Sequence, residues 1–170
     1  MNKNFFSRSL RAFAPALPLF MVCSNLVLTS QAQPLTPPSP EQTNATGRLV
    51  VAVQGLEQIK GQVCLSLFNK AQGFPSKASG ALQSRCVEVT NTSMTVTFEG
   101  LQTGNYAVAV FHDINKDGTL NQNRLGIPTE RFGFSNNPRI IAGPPKFSDS
   151  SVLLAGQETT IQIKLRGLLG

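Results

Sequence analysis

A repeated alternation in twos is the feature that most limits what this chain can fold into. Met94, Val96 and Phe98 alternate with Ser93, Thr95 and Thr97, Ile161, Ile163 and Leu165 alternate with Thr160, Gln162 and Lys164, and Leu49, Val51 and Val53 recur at the same spacing. Successive side chains of an extended strand point to opposite faces, so this spacing predicts strands that bury one face only. The run from Tyr106 to Phe111 is apolar on both parities, as in a central strand covered on both sides. Further runs at Gln62 to Phe68, Arg85 to Thr90 and Ser151 to Leu154 bring the expected count to about seven strands. Strands this short must bury their apolar faces against a second sheet. The pattern therefore predicts an all-β fold, a single antiparallel β-sandwich of Ig-like type with one long loop, with a small closed barrel as the alternative.

Two local features belong to that frame. Gly100 to Asn105 reads as a turn feeding the central strand, and Tyr106, the only tyrosine, either closes the corner with its hydroxyl or simply fills the core. Cys64 alternates with Val63, Leu65 and Leu67, and Cys86 with Val87 and Val89, so both thiols fall on faces opposite those apolar residues. Neighbouring strands would bring them together on the outer surface. A Cys64–Cys86 disulfide is expected in an oxidising compartment, with two free thiols as the alternative.

The address comes from the N-terminus. Lys3, Arg8 and Arg11 precede an apolar run from Ala12 to Leu28, and Ser30-Gln31-Ala32 supplies the small residues of a signal-peptidase site. Residues 1–32 are read as a signal peptide, 33–46 as a proline-rich spacer with nothing to bury, and 47–170 as the sandwich domain. The expected location is the periplasm or the outside of the cell. Pro15, Pro18 and Asn25 interrupt the apolar run, which argues against a membrane anchor, so no stable membrane span is expected once the leader is removed. Val22 before Cys23 argues against a lipoprotein. Loss of the leader's three basic residues lowers the net charge from +6 to +3. The remaining cations are scattered singly, which argues against nucleic acid as a partner.

The segment from His112 to Lys146 shows little strand pattern, and loops of this length are usually functional or disordered. It opens with Asp113-Ile114-Asn115-Lys116-Asp117-Gly118, a D-x-N-x-D-G run in which oxygen ligands recur at every second residue and Gly allows the sharp turn around one cation. Where the helix-loop-helix version places a bidentate glutamate, this chain has Arg124, so the missing carboxylate is expected from Glu130. The candidate Ca²⁺ ligands are thus Asp113, Asn115, Asp117, Thr119, Asn121 and Glu130. With Lys116 and Arg124 nearby the affinity is expected to be weak, on the order of 10⁻⁴ to 10⁻³ M. The competing reading is a metal-free turn, because Asp, Asn and Gly bend chains unaided.

The run F-x-G-L-x-x-G-x-Y-A-V-A-V-F-H-D-x-N-x-D-G-x-L from Phe98 to Leu120, followed by L-G-I-P-T-E-R-F-G-F-S-N-N at Leu125 to Asn137, resembles the secreted bacterial family known as domain of unknown function 2141. The resemblance covers most of the chain from Gly47 onward. It implies a prealbumin-like or carboxypeptidase-regulatory-like sandwich and carries no established activity. Asn121 stands where that family tends to show aspartate, which removes a charge from the candidate metal set.

An enzyme would have to be built from few parts. With one histidine, a serine hydrolase would need His112 as base, Ser135 as nucleophile and Asp113 or Asp149 as orienter, and no G-x-S-x-G elbow supports it. Paired-carboxylate chemistry would use Asp113 or Asp117 with Glu130. Zinc lacks soft ligands once the cysteines are paired. The preferred expectation is a non-catalytic exported module that presents its loop to a protein or a cell-envelope glycan. A small exported hydrolase using His112 or the loop carboxylates is the alternative.

Overall fold

The computed structural model describes residues 46–141 and 143–168. The expected signal peptide and almost all of the expected spacer lie outside the described residues. Eight strands follow in chain order: β1 (Gly47–Gln54), β2 (Gln62–Phe68), β3 (Gln83–Glu88), β4 (Ser93–Leu101), β5 (Gly104–Asp113), β6 (Phe132–Phe134), β7 (Ser151–Leu154) and β8 (Glu158–Lys164). A single helical turn, α1 (Phe147–Ser150), precedes β7. Among the described residues no helix is long and apolar enough to cross a membrane.

The strands form two sheets. One has the order β4-β1-β8; the other has the order β3-β2-β5-β6, with β7 pairing the first half of β5 on the same edge as β6. The alternating residues pack between them: Leu49, Val51 and Val53 of β1, Val96 and Phe98 of β4 and Ile163 of β8 meet Val63, Leu65 and Leu67 of β2 and Tyr106, Val108 and Val110 of β5. The all-β sandwich is therefore the fold that the two-residue period predicts.

Three details correct the sequence reading. First, β1 and β8 run parallel, with Val51 opposite Ile161 and Val53 opposite Ile163, so the sandwich is not purely antiparallel. The chain reaches β8 from β7 in the other sheet, so no hairpin fixes its direction relative to β1. Second, an eighth strand, β6, stands inside the segment read as a loop; three residues are too few to display a period. Third, β5 continues through Asp113, so His112 and Asp113 end a strand instead of opening a loop.

The double-sided apolar character of β5 has a direct cause. Its outward residues Ala107, Ala109 and Phe111 lie under a second aromatic layer on the far side of that sheet. Phe134 pairs with Ala109 and Phe132 with Phe111 in the β5–β6 ladder. Phe74, from the β2–β3 connection, stands edge-on to Phe68 at 5.3 Å and to Phe134 and Phe147 at 5.9 Å each. The small side chains of Ala107 and Ala109 leave room for these rings, and edge-to-face pairs add about 0.5–1.5 kcal/mol each beyond burial.

Both local expectations hold. Cys64 and Cys86 face each other in the β2–β3 register and are joined as a disulfide. The Tyr106 hydroxyl donates to the Gln102 carbonyl at 2.8 Å while its ring lies in the core, so the two readings of that residue are both correct. Tyr106→Phe keeps the ring and removes this bond, leaving a carbonyl short of a partner. A stability loss of about 1 kcal/mol is expected, measured as a lower urea midpoint at unchanged slope.

Candidate functional site

The insert between β5 and β6, residues 114–131, starts from a buried carboxylate. Asp113 is the last residue of β5 and is fully buried. Its Oδ2 accepts from the Gly118 backbone N–H at 2.8 Å and from the Gln62 side-chain amide at 2.7 Å, and its Oδ1 accepts from the Asp117 N–H at 3.2 Å. Burial alone would push this carboxyl up. The donors from Gln62, Gly118, Asp117 and Lys116 outweigh it and hold the group below its usual range. The chain can wrap around Asp113 because Lys116 and Gly118 take positive φ, 61° and 78°. A Cβ on Gly118 would meet nothing within 4 Å, so glycine serves conformation there and not space.

Asp117 is the second organiser, at the exposed side of the same turn. It accepts from the Asn121 side-chain amide at 2.8 Å, the Thr119 hydroxyl at 2.7 Å, the Thr119 N–H at 2.8 Å and the Asn115 side-chain amide at 2.8 Å. These donors hold its carboxyl well below the usual range. Glu130 closes the loop from the far end: buried, it accepts from the Ile114 N–H at 2.9 Å and the Asn121 N–H at 3.0 Å. Beyond Asn121 the chain forms a narrow hairpin, with Thr129 N–H on the Asn121 carbonyl and Asn123 N–H on the Ile127 carbonyl. The Asn123 side chain ties its tip by accepting from Leu125 and Ile127 at 2.9 and 3.1 Å. Leu125 stands at that tip, 81% exposed.

The predicted ligand set is thus gathered in part. Asp113, Asn115, Asp117, Thr119 and Asn121 lie around one turn, while Glu130 grips backbone amides. For a cation the fit is limited. Among the described residues no three of His, Cys, Asp and Glu stand together as a metal-binding group. The Asn115 and Asn121 amide nitrogens face the Asp117 carboxylate, and the Asn115 oxygen accepts from the Asp117 backbone N–H, so both amides would have to turn over to offer oxygen beside that carboxylate. Ca²⁺ held here would rest on Asp113 and Asp117, amide and backbone oxygens, and water, which is the donor set of a weak site.

The His112, Ser135 and Asp149 side chains of the hydrolase alternative each bond to backbone groups. His112 is buried and its Nε2 meets the Lys60 carbonyl at 2.7 Å. Ser135 is buried, accepts from the Val108 N–H at 2.9 Å and donates to the Ser150 carbonyl. Asp149 accepts from the Lys146 N–H at the start of α1.

Sequence reasoning missed Gln62, Asn123 and the β1–β2 connection. Gln62 lies opposite Asp113 in the β2–β5 register, a relation that only the pairing reveals. Gly61 packs so tightly that a Cβ there would collide with the Asp113 carbonyl. These contacts border a groove of about 540 Å³ lined by residues 59–61, 88–89 and 114–116.

A sandwich whose central strand ends in a hairpin knitted by Asp, Asn and Glu side chains belongs to the class of all-β modules that carry a shaped loop on a rigid frame. Within that class the chain belongs to the family described as uncharacterized protein conserved in bacteria (DUF2141), whose model matches residues 51–162. No curated protein and no solved structure matches the chain.

Proposed function

We propose that the protein is a non-catalytic exported module that presents the hairpin of residues 114–131 to a partner, a protein or a cell-envelope glycan, and binds Ca²⁺ weakly at its base. The observation that carries this reading is the division of labour in the insert. Asp113, Asp117, Asn123 and Glu130 are spent on backbone and amide donors that fix the shape of the loop, and the tip they fix exposes an apolar side chain, Leu125. A preformed loop loses little conformational freedom on binding, and loops on rigid frames are common recognition elements. The engagement of His112 and Ser135 with backbone groups supports the non-catalytic side of the proposal over the hydrolase.

Calcium belongs to this reading as a ligand of the Asp113–Asn121 turn, with the Asn115 and Asn121 amides turned to offer oxygen. With a dissociation constant near 1 mM, about 10 mM calcium stabilises the folded state by roughly 1.4 kcal/mol and raises the melting temperature by about 5 °C. Differential scanning calorimetry with calcium against a magnesium control reads this directly. Asp117→Ala should melt at the same temperature with and without calcium. An unchanged wild-type melt removes the cation from the proposal, and turnover of a model ester or glycan that is lost in His112→Ala replaces it with the hydrolase.

A further inference from the structure

We propose that the groove beside the insert is a second recognition site, which takes an extended peptide segment carrying acidic and aliphatic side chains. This rests on the reading of the domain as a binding module and names a partner class for it. Three connections meet at one end of the sandwich to form the groove: the β1–β2 loop, the residue that follows β3, and the first residues of the insert. Its volume, about 540 Å³, falls in the range of sites that hold small ligands or short peptide stretches.

The groove is built to keep its shape. The His112 ring is bonded to the Lys60 carbonyl at 2.7 Å, the Gln62 amide to Asp113 at 2.7 Å, and the Val89 N–H to the Gly61 carbonyl at 3.1 Å. Gly61 lies directly on the Asp113 carbonyl and Ile114 Cα, which fixes the β1–β2 loop against the start of the insert. Lys116 then ties the insert to the end of β3 through Glu88 at 2.7 Å. These three segments of chain are locked around one concavity before any ligand arrives.

The lining selects the ligand. Ile59 and the half-buried Ile114 give the aliphatic surface, Val89 being part of the core, and Ile59 is 61% exposed although it is a large β-branched residue. The charged groups are Lys60, Lys116 and Glu88. Glu88 is matched by Lys116, whereas Lys60 makes no salt bridge among the described residues. The groove therefore holds an unmatched positive charge next to aliphatic surface, complementary to a carboxylate flanked by aliphatic side chains. Among the described residues no aromatic ring lines it, so they give a sugar ring no face to stack on. At its border β3 is the last strand of its sheet and, among the described residues, pairs only with β2, so its outer edge can bond an extended main chain.

The test is NMR titration of the ¹⁵N-labelled protein with the peptide acetyl-Val-Glu-Val-Glu-amide and with its glutamine counterpart. The expected result is amide shifts confined to residues 59–61, 88–89 and 114–116, with the glutamate peptide binding at least about fivefold more tightly at low salt. Lys60→Glu should abolish that preference without moving the signals of the hairpin tip. Equal binding of the two peptides, or no shift up to about 20 mM peptide, overturns the proposal. So does a bacterial cell-wall oligosaccharide that moves the same signals where the peptide does not. Peptide shifts restricted to residues around Leu125 sink the groove and leave the display reading standing. The turnover assay tests the reading as a non-catalytic module separately, and the calcium melts test its cation.

Discussion

Asp113→Ala is expected to lower the unfolding free energy by about 3 kcal/mol and to loosen the whole insert. The carboxylate is fully buried and accepts from Gln62, Gly118 and Asp117. Alanine would leave these donors unmatched in a place that water reaches poorly, which costs more than the bonds themselves contribute. Asp113→Asn should cost less, about 1–2 kcal/mol, because one oxygen remains and the Gln62 amide can turn to meet the new NH₂. Urea denaturation reads the global loss. Hydrogen exchange at the amides of Asp117, Gly118 and Asn121 reads the local one, and unchanged protection there would refute the role given to Asp113 as the anchor of the loop.

A pH dependence of definite sign accompanies that variant. The folded Asp113 carboxyl ionises below its ordinary value, so folding favours the charged form. Its contribution is complete above about pH 4, where the unfolded carboxyl is also ionised, and is lost as the pH falls through the lower folded value. In chelator-containing buffer the wild-type stability should therefore fall more steeply than that of Asp113→Asn between about pH 4 and pH 2. Asp117 and Glu88 also have lowered carboxyls, but both are exposed and both remain in the variant. The difference between the two curves thus isolates Asp113.

What the sequence makes legible here follows from range. The strands of the core are visible because burial on one face imposes a period of two on consecutive residues, as in Met94, Val96 and Phe98. The insert announces itself through Asp113, Asn115, Asp117 and Gly118, whose spacing alone implies a tight turn. Hidden are the relations between residues distant in sequence: Gln62 meeting Asp113, His112 meeting the Lys60 carbonyl, and β8 lying parallel to β1. The aromatic layer is hidden for a related reason. Phe74 and Phe147 stand in connections without a period, so nothing marks them as partners of Phe68 and Phe134. The groove is the extreme case, since each segment that lines it is unremarkable alone and its chemistry arises only where they meet.

The Cys64→Ala/Cys86→Ala double variant is expected to lose about 3 kcal/mol, with a melting temperature lower by roughly 10 °C. The two residues are 22 apart in sequence, so the bond removes the entropy of a sizeable loop from the unfolded chain. Its position adds a local effect. β3 is an edge strand held on one side by β2, and most of its residues are exposed. The bond joins directly opposed residues near the middle of that pairing, where Cys64 is buried and Cys86 lies at the surface. Without it β3 should fray before the rest of the sandwich, seen as faster hydrogen exchange from Gln83 to Glu88 while β1 and β5 stay protected. Because Glu88 and Val89 border the groove and Glu88 binds Lys116, that fraying should also weaken the acidic peptide while leaving the hairpin tip unchanged. A double variant with wild-type protection in β3 would show that strand pairing alone holds this edge, and would confine the disulfide to its effect on the unfolded chain.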